Sequence, residues 1–312
     1  VSPRQIVRPD DDELIAPDAP NWFKRAVSTP SSDHFVTSGG VAIHYLAWGE
    51  PGRRGLVFVH GGAAHAHWWA HIASRFASTH RVVAVDLSGH GDSDFREDGY
   101  TLERFAAEVM AAASDAGIDG PPVVIGHSFG GFVTTVTAAL HADDVAGAIV
   151  CDSPITEPDP EVGSHRSRRA FGKVRVYSTR EEALARFHPE PRQKNELTYV
   201  LRYIGPWSLR QVAGGWSWKF DHRIFEGFEN GTRALALPYL SEVRCRYALL
   251  RSEHGLVTPD IGQAMYEKLG RVAPVIEIPQ AGHHAMLDEP LVLLTAIRTL
   301  LADWDHSTPQ VR

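Results

Sequence analysis

Residues 126–130 read Gly126-His127-Ser128-Phe129-Gly130 and are followed by Gly131. A serine hydroxyl is a weak nucleophile until the chain presents it openly and a neighbouring base takes its proton. The G-x-S-x-G pattern supplies the presentation. Glycines on either side remove the Cβ atoms that would clash where a strand bends abruptly into a helix. Such a pattern is weak evidence in a chain with 27 glycines, so its context decides. The apolar run Val123-Val124-Ile125 precedes it, and Gly130 to His141 has a helical pattern. That strand–turn–helix setting makes Ser128 a candidate nucleophile for acyl transfer.

With Ser128 so placed, the chain resembles the α/β-hydrolase superfamily from residue 34 to residue 304. His60-Gly61-Gly62, ahead of the nucleophile, is similar to the family's oxyanion loop. The resemblance implies that the backbone N–H groups of Gly62 and Phe129 hold the tetrahedral oxyanion, each worth about 3 kcal/mol. The run Asp86-Leu87-Ser88-Gly89-His90-Gly91-Asp92-Ser93 is similar to a D-x-x-G-x-G-x-S turn of the family, which implies scaffold roles for His90 and Asp92. A base is expected late in the chain, in the order Ser, acid, His. Gly282-His283-His284 carries the family's Gly-His, and His283 fits it better than His284. A neutral imidazole, with an ordinary pKa of about 6.5, accepts a serine proton at neutral pH.

The acid departs from the commonest pattern of the superfamily, an Asp in the loop after the strand at Arg246–Arg251. Here that loop reads Ser252-Glu253-His254-Gly255-Leu256-Val257. Two carboxylates are candidates. Asp152 follows the Val145–Cys151 run, a place some branches of the superfamily use, and is favoured; Glu253 is the alternative. The Gly255-Leu256-Val257-Thr258 tail resembles cap-bearing bacterial serine esterases and lactonases that also lack the loop Asp.

His65, His67 and His71 form H-x-H-x-x-x-H, but no adjacent carboxylate or further ligand completes a metal site, so no metal is expected. Gly61, His67, Trp68 and His127 are expected around the substrate pocket. No cofactor is called for by a serine mechanism.

The elements that must carry these residues are legible as alternating patterns. Gly55 to His60, Arg81 to Asp86, Pro122 to Ile125, Val145 to Cys151, Arg246 to Arg251 and Val275 to Ile278 read as strands. Between or after them, Trp68 to Ser78, Leu102 to Ala116, Gly130 to His141, Asp260 to Leu269 and Leu291 to Asp303 read as helices. This order predicts an α/β class fold with a doubly wound, mostly parallel sheet. His34 to Trp48 predicts a leading hairpin broken at Ser38-Gly39-Gly40. Residues 1–33, rich in Pro, Asp and Ser, read as an extended arm pinned by Trp22 and Phe23, and 305–312 as a tail. The core is expected to comprise 34–152 and 238–304. The alternation stops over 153–237, where Tyr199, Tyr203, Trp207, Trp216, Trp218, Phe220, Phe225 and Phe228 predict an inserted helical cap with an aromatic interior.

Composition narrows the functions. A net charge of −7, with no long Lys/Arg run, argues against nucleic-acid partners. Arg166, Arg168 and Arg169 read as a solvated helix face. Cys151 and Cys245 read as buried free thiols. No run of roughly 18 apolar residues suggests a membrane span, and the N-terminal residues do not resemble a signal peptide, so a cytoplasmic location is expected. The resemblance implies hydrolysis of a carboxylic ester or lactone, a small-molecule partner of medium size and apolar character. Carbon–carbon bond hydrolysis or cofactor-free perhydrolysis on the same residues, or a ligand-binding receptor with slow or no turnover, are the alternatives.

Overall fold

A computed structural model of the protein describes residue 6 and residues 8–157, 175–225 and 232–307. Arg166, Arg168, Arg169 and Phe228 lie outside the described residues.

Eight strands form one sheet: β1 (Ser32–Ser38), β2 (Val41–Trp48), β3 (Gly55–Val59), β4 (Arg81–Val85), β5 (Val123–His127) and β6 (Gly147–Cys151). After a separate hairpin, β7 (Leu209–Val212) and β8 (Gly215–Trp218), the sheet resumes with β9 (Arg246–His254) and β10 (Val275–Gly282). The order across the sheet is β1-β2-β4-β3-β5-β6-β9-β10. β1 and β2 pair antiparallel, as do β2 and β4, whereas every pair from β4 to β10 is parallel. Parallel strands need helical crossovers, which cover both faces and explain why the central strands are apolar throughout. Along β3 the side chains alternate: Leu56 and Phe58 join one core with Trp69, Ile72, Leu293 and Ile297. Val57 and Val59 join the other, with Phe105, Val109, Val133 and Val136. Because the chain winds outward both ways from β3, the carboxyl ends of the strands open onto a crevice there.

Three predicted features differ. Residues 1–33 are not simply extended: Asp11–Leu14 and Asn21–Val27 are helices. The second forms because Phe23 and Ala26, three residues apart, both need burial on one face. Phe23 is fully buried, 4.9 Å from the Tyr199 ring and 6.0 Å from that of Tyr203. The inserted segment, predicted as helical, holds helices Arg180–Leu184 and Thr198–Trp207 but also the β7–β8 hairpin. The single helix expected at Trp68–Ser78 is a 3-10 turn (Ala66–Trp69), an α turn (Ala70–Ala73) and a second 3-10 turn (Ser74–Phe76). The first of these turns is anchored where its leading N–H, that of Ala66, donates to Asp86 at 2.6 Å.

Asp86 organises the crevice floor. Its oxygens also accept from His44 Nδ1 at 2.7 Å and the Asp92 N–H at 2.9 Å. Asp92 in turn accepts from Lys219 Nζ of the insert at 2.8 Å, which fits the scaffold role read for this turn. Burial disfavours a charged His44, but hydrogen bonds to Asp33 and Asp86 outweigh it and push its pKa up to about 9. A histidine raised in this way stabilises the fold fully below about pH 6.5, and the contribution disappears as pH climbs through about 9. The melting temperature is therefore expected to drop between pH 7 and pH 10 by roughly 5 °C more in the wild type than in His44→Gln. Parallel slopes for the two proteins in a calorimetric pH series would refute this.

Candidate active site

Ser128 follows β5 and starts the Phe129–Leu140 helix with φ 53° and ψ −118°, a backbone state that side chains other than glycine rarely adopt. The turn is tight enough to dictate its neighbours. A Cβ on Gly126 would lie 2.2 Å from the Gly130 carbonyl oxygen, and one on Gly130 would lie 2.4 Å from that of His60. The bend is pinned by the Ser128 N–H on the Cys151 carbonyl (3.0 Å) and the Gly131 N–H on the Ser128 carbonyl (2.9 Å).

Two other strand ends meet this bend. His283 follows β10, and its Nε2 lies 2.9 Å from Ser128 Oγ. Its Nδ1 lies 2.7 Å from Asp152 Oδ2, at the end of β6. Asp152, 1% exposed, also accepts backbone N–H groups from Ser252 (3.2 Å), Leu256 (2.7 Å) and Val257 (3.2 Å). Burial works to raise its pKa, but His283 and the N–H groups of Leu256 and Val257 together hold it below the usual carboxylate value. An ionised Asp152 requires the proton of His283 on Nδ1, which leaves Nε2 to accept from the serine. Glu253 stands elsewhere. Residues 252–254, predicted as loop, continue β9, and exposed Glu253 accepts the Gln280 N–H at 2.7 Å across to β10. There it stitches a β-bulge between Ile278 and Gly282, where Gln280 takes φ 60°.

The glycine loop lies against the serine. A Cβ on Gly61 would be 3.4 Å from Ser128 Cβ, and one on Gly62 would be 3.7 Å from Phe129 Cβ. Gly62 is covered from the insert by Phe225, whose ring would be 3.2 Å from that Cβ. His60 holds the loop down: its Nδ1–H donates to the Gly61 carbonyl (2.7 Å), and its Nε2 accepts the Leu87 N–H (3.1 Å). Burial lowers its pKa, consistent with a neutral ring in this tautomer.

His127, expected around the pocket, packs between the glycine loop and the His283 loop. It is 2% exposed, and its Nε2–H donates to the His283 carbonyl at 2.8 Å, so it props the His283 loop from beneath. Its other face meets the glycine loop, since a Cβ on Gly61 would lie 3.1 Å from its Nδ1. Burial first, and then the His283 charge, lower its pKa to about 3. His67 stacks on Trp207 with ring centres 3.8 Å apart, and Trp68 lies 5.4 Å from the His284 ring. His65 and His71 turn elsewhere, to Ser208 Oγ and the Met286 carbonyl, both at 2.8 Å. Ring nitrogens of His127, His283 and His284 do gather within 4.8 Å of one another, but both of His283 are engaged with Ser128 and Asp152. The roles of His60 and His127 escaped the sequence because their partners are set only by the fold.

Among the described residues no helix is long and apolar enough to cross a membrane. The profile described as "Alpha/beta hydrolase family" matches residues 56–296. Esterase Rv0045c of Mycobacterium tuberculosis is 26% identical over 306 residues, covering 93% of this chain and 98% of that protein. Epoxide hydrolase 4 of Mus musculus is 31% identical over 121 residues, 38% of this chain and 33% of that one. The crystal structure of E-2-(acetamidomethylene)succinate hydrolase superposes with a TM-score of 0.77 at 21% identity, covering 88% of this chain and all of that one. The sheet order and the extent of the profile match together lead to one conclusion: this chain belongs to the Alpha/beta hydrolase family.

Proposed function

We propose that this hydrolase cleaves a carboxylic ester or lactone of medium size and apolar character through an acyl-enzyme on Ser128. The single observation that carries the reading is the hydrogen-bonded chain Ser128 Oγ–His283–Asp152, with spacings of 2.9 and 2.7 Å. In this reading His283 Nε2 takes the serine proton as Oγ attacks the carbonyl carbon, and Asp152 keeps the imidazole in the accepting tautomer. The N–H groups of Gly62 and Phe129 receive the oxyanion. His283 then returns the proton to the leaving alcohol, and a water, deprotonated in turn by His283, releases the acid. Phe225, which covers Gly62 and lies 6.5 Å from the Phe129 ring, favours an apolar substrate. The similarity to Esterase Rv0045c over 93% of the chain supports the ester class. The shorter match to an epoxide hydrolase has less weight, because position 128 holds a hydroxyl instead of the carboxylate nucleophile that epoxide opening by covalent attack employs in this superfamily. A cytoplasmic site of action accompanies this proposal.

Two measurements test it. A fluorophosphonate probe is expected to label the wild type at Ser128, and Ser128→Ala to lose both labelling and turnover across a panel of nitrophenyl esters and lactones. An unlabelled, inactive wild type would instead favour the receptor reading. For the acid, Asp152→Asn is expected to lower kcat by roughly a thousandfold or more. Glu253→Gln, which keeps an acceptor for the Gln280 N–H, is expected to stay within about threefold. The reverse ranking would move the acid to β9.

A further inference from the structure

We infer that Gln193, supplied by the inserted segment, is a positioning residue for His283: its amide grips the backbone beside the imidazole and links seating of the insert to alignment of the base. This rests on the role proposed above for His283.

The grip is two-sided. Gln193 Oε1 accepts the His284 N–H at 2.8 Å. Its Nε2 donates to the His284 carbonyl at 3.2 Å and to Asp288 Oδ2 at 2.8 Å. The same Asp288 oxygen accepts the Gly282 N–H at 2.6 Å. The residues immediately before and after His283 are thus tied through one amide–carboxylate pair, while His127 holds the carbonyl of His283 itself. The amide's orientation follows from chemistry, since only its oxygen can accept and only its nitrogen can donate to a carbonyl and a carboxylate. Gly282 belongs to the same device. A Cβ there would lie 2.8 Å from Gln193 Oε1 and 3.1 Å from Asp288 Oδ2, so the absence of a side chain ahead of His283 is what admits the amide. Four residues further on, the Leu197 N–H donates to the Leu287 carbonyl at 2.8 Å and continues the seam between the insert and the His283 loop.

Misplacing a catalytic group by about 1 Å costs on the order of 100-fold in rate, so loosening this grip has to appear in the chemical step. Gln193→Glu is nearly isosteric, keeps the acceptor and loses both donated bonds; Gln193→Ala removes the whole amide. Both variants and the wild type are compared in hydrolysis of a short-chain nitrophenyl ester, in the rate of fluorophosphonate labelling, and in amide hydrogen exchange over residues 280–288. The expected result is a parallel fall in kcat and labelling rate of about 10- to 100-fold. KM should shift by less than about threefold, and the His284 amide should exchange faster while those of β3 and β5 do not. Unchanged kcat in both variants overturns the inference. A rise in KM with kcat intact overturns it as well, because Gln193 would then line the pocket. If the wild type neither hydrolyses the ester nor takes the label, the assignment of the base has failed; faster His284 exchange in the variants would then uphold the grip, and unaltered exchange would overturn it.

Discussion

A carboxylate sealed from water must be matched by donors or it will not remain ionised. Asp152 meets that demand with His283 and three backbone N–H groups drawn from residues 252, 256 and 257. The match is possible only where the ends of β6, β9 and β10 converge, so one buried charge dictates how three strand termini are arranged. Its own backbone bears some of the cost: Asp152 sits at φ 47°, as Ser128 does at 53°. Conformations of this kind cost about 1–3 kcal/mol each and persist where the surrounding structure over-determines them. Here the surroundings are the parallel sheet, whose completely buried central strands leave the termini little freedom.

Around that charge the histidines divide by protonation. His44, between two carboxylates, is held charged, whereas burial lowers the pKa of His60, His127 and His284. Neutral rings offer one donor and one acceptor in fixed directions, which suits them to pin loops without adding positive charge near His283. His60 holds the glycine loop and His127 the His283 loop by this means. The charged ring is kept where both its nitrogens meet carboxylates, those of Asp86 and Asp33.

What could be read from the amino-acid order was whatever a short local pattern encodes. Glycines flanking Ser128 and preceding His283, and the apolar runs of the central strands, carry their meaning within five or six residues. Asp152 was reachable because it directly follows one of those runs. Gln193 was not, since its value depends on pairing with residues 91 and 95 positions away. The bond made by His127 was hidden for a similar reason: the pattern places it beside Ser128 in sequence, while its ring reaches the carbonyl of His283, 156 positions away. The β7–β8 hairpin escaped notice because Leu-Arg-Gln-Val and Gly-Trp-Ser-Trp are four residues each and lack a continuous apolar run. In the N-terminal segment, Pro and Asp content suggested an irregular path, and the tertiary burial of Phe23 overrode it with a helical turn.

The bulge in β10 has an outcome beyond the delivery of His283. Among the described residues β10 is a border strand of the sheet, with no strand on its outer side. A long, flat border of this kind is a template on which foreign strands can dock and aggregates can grow. The register break between Ile278 and Gly282, with Gln280 in a left-handed conformation, interrupts that template partway along. Arg251 and Glu277 pair across β9 and β10 just before the break. The same irregularity that carries an imidazole to the serine therefore also leaves the border a poor seat for an incoming chain.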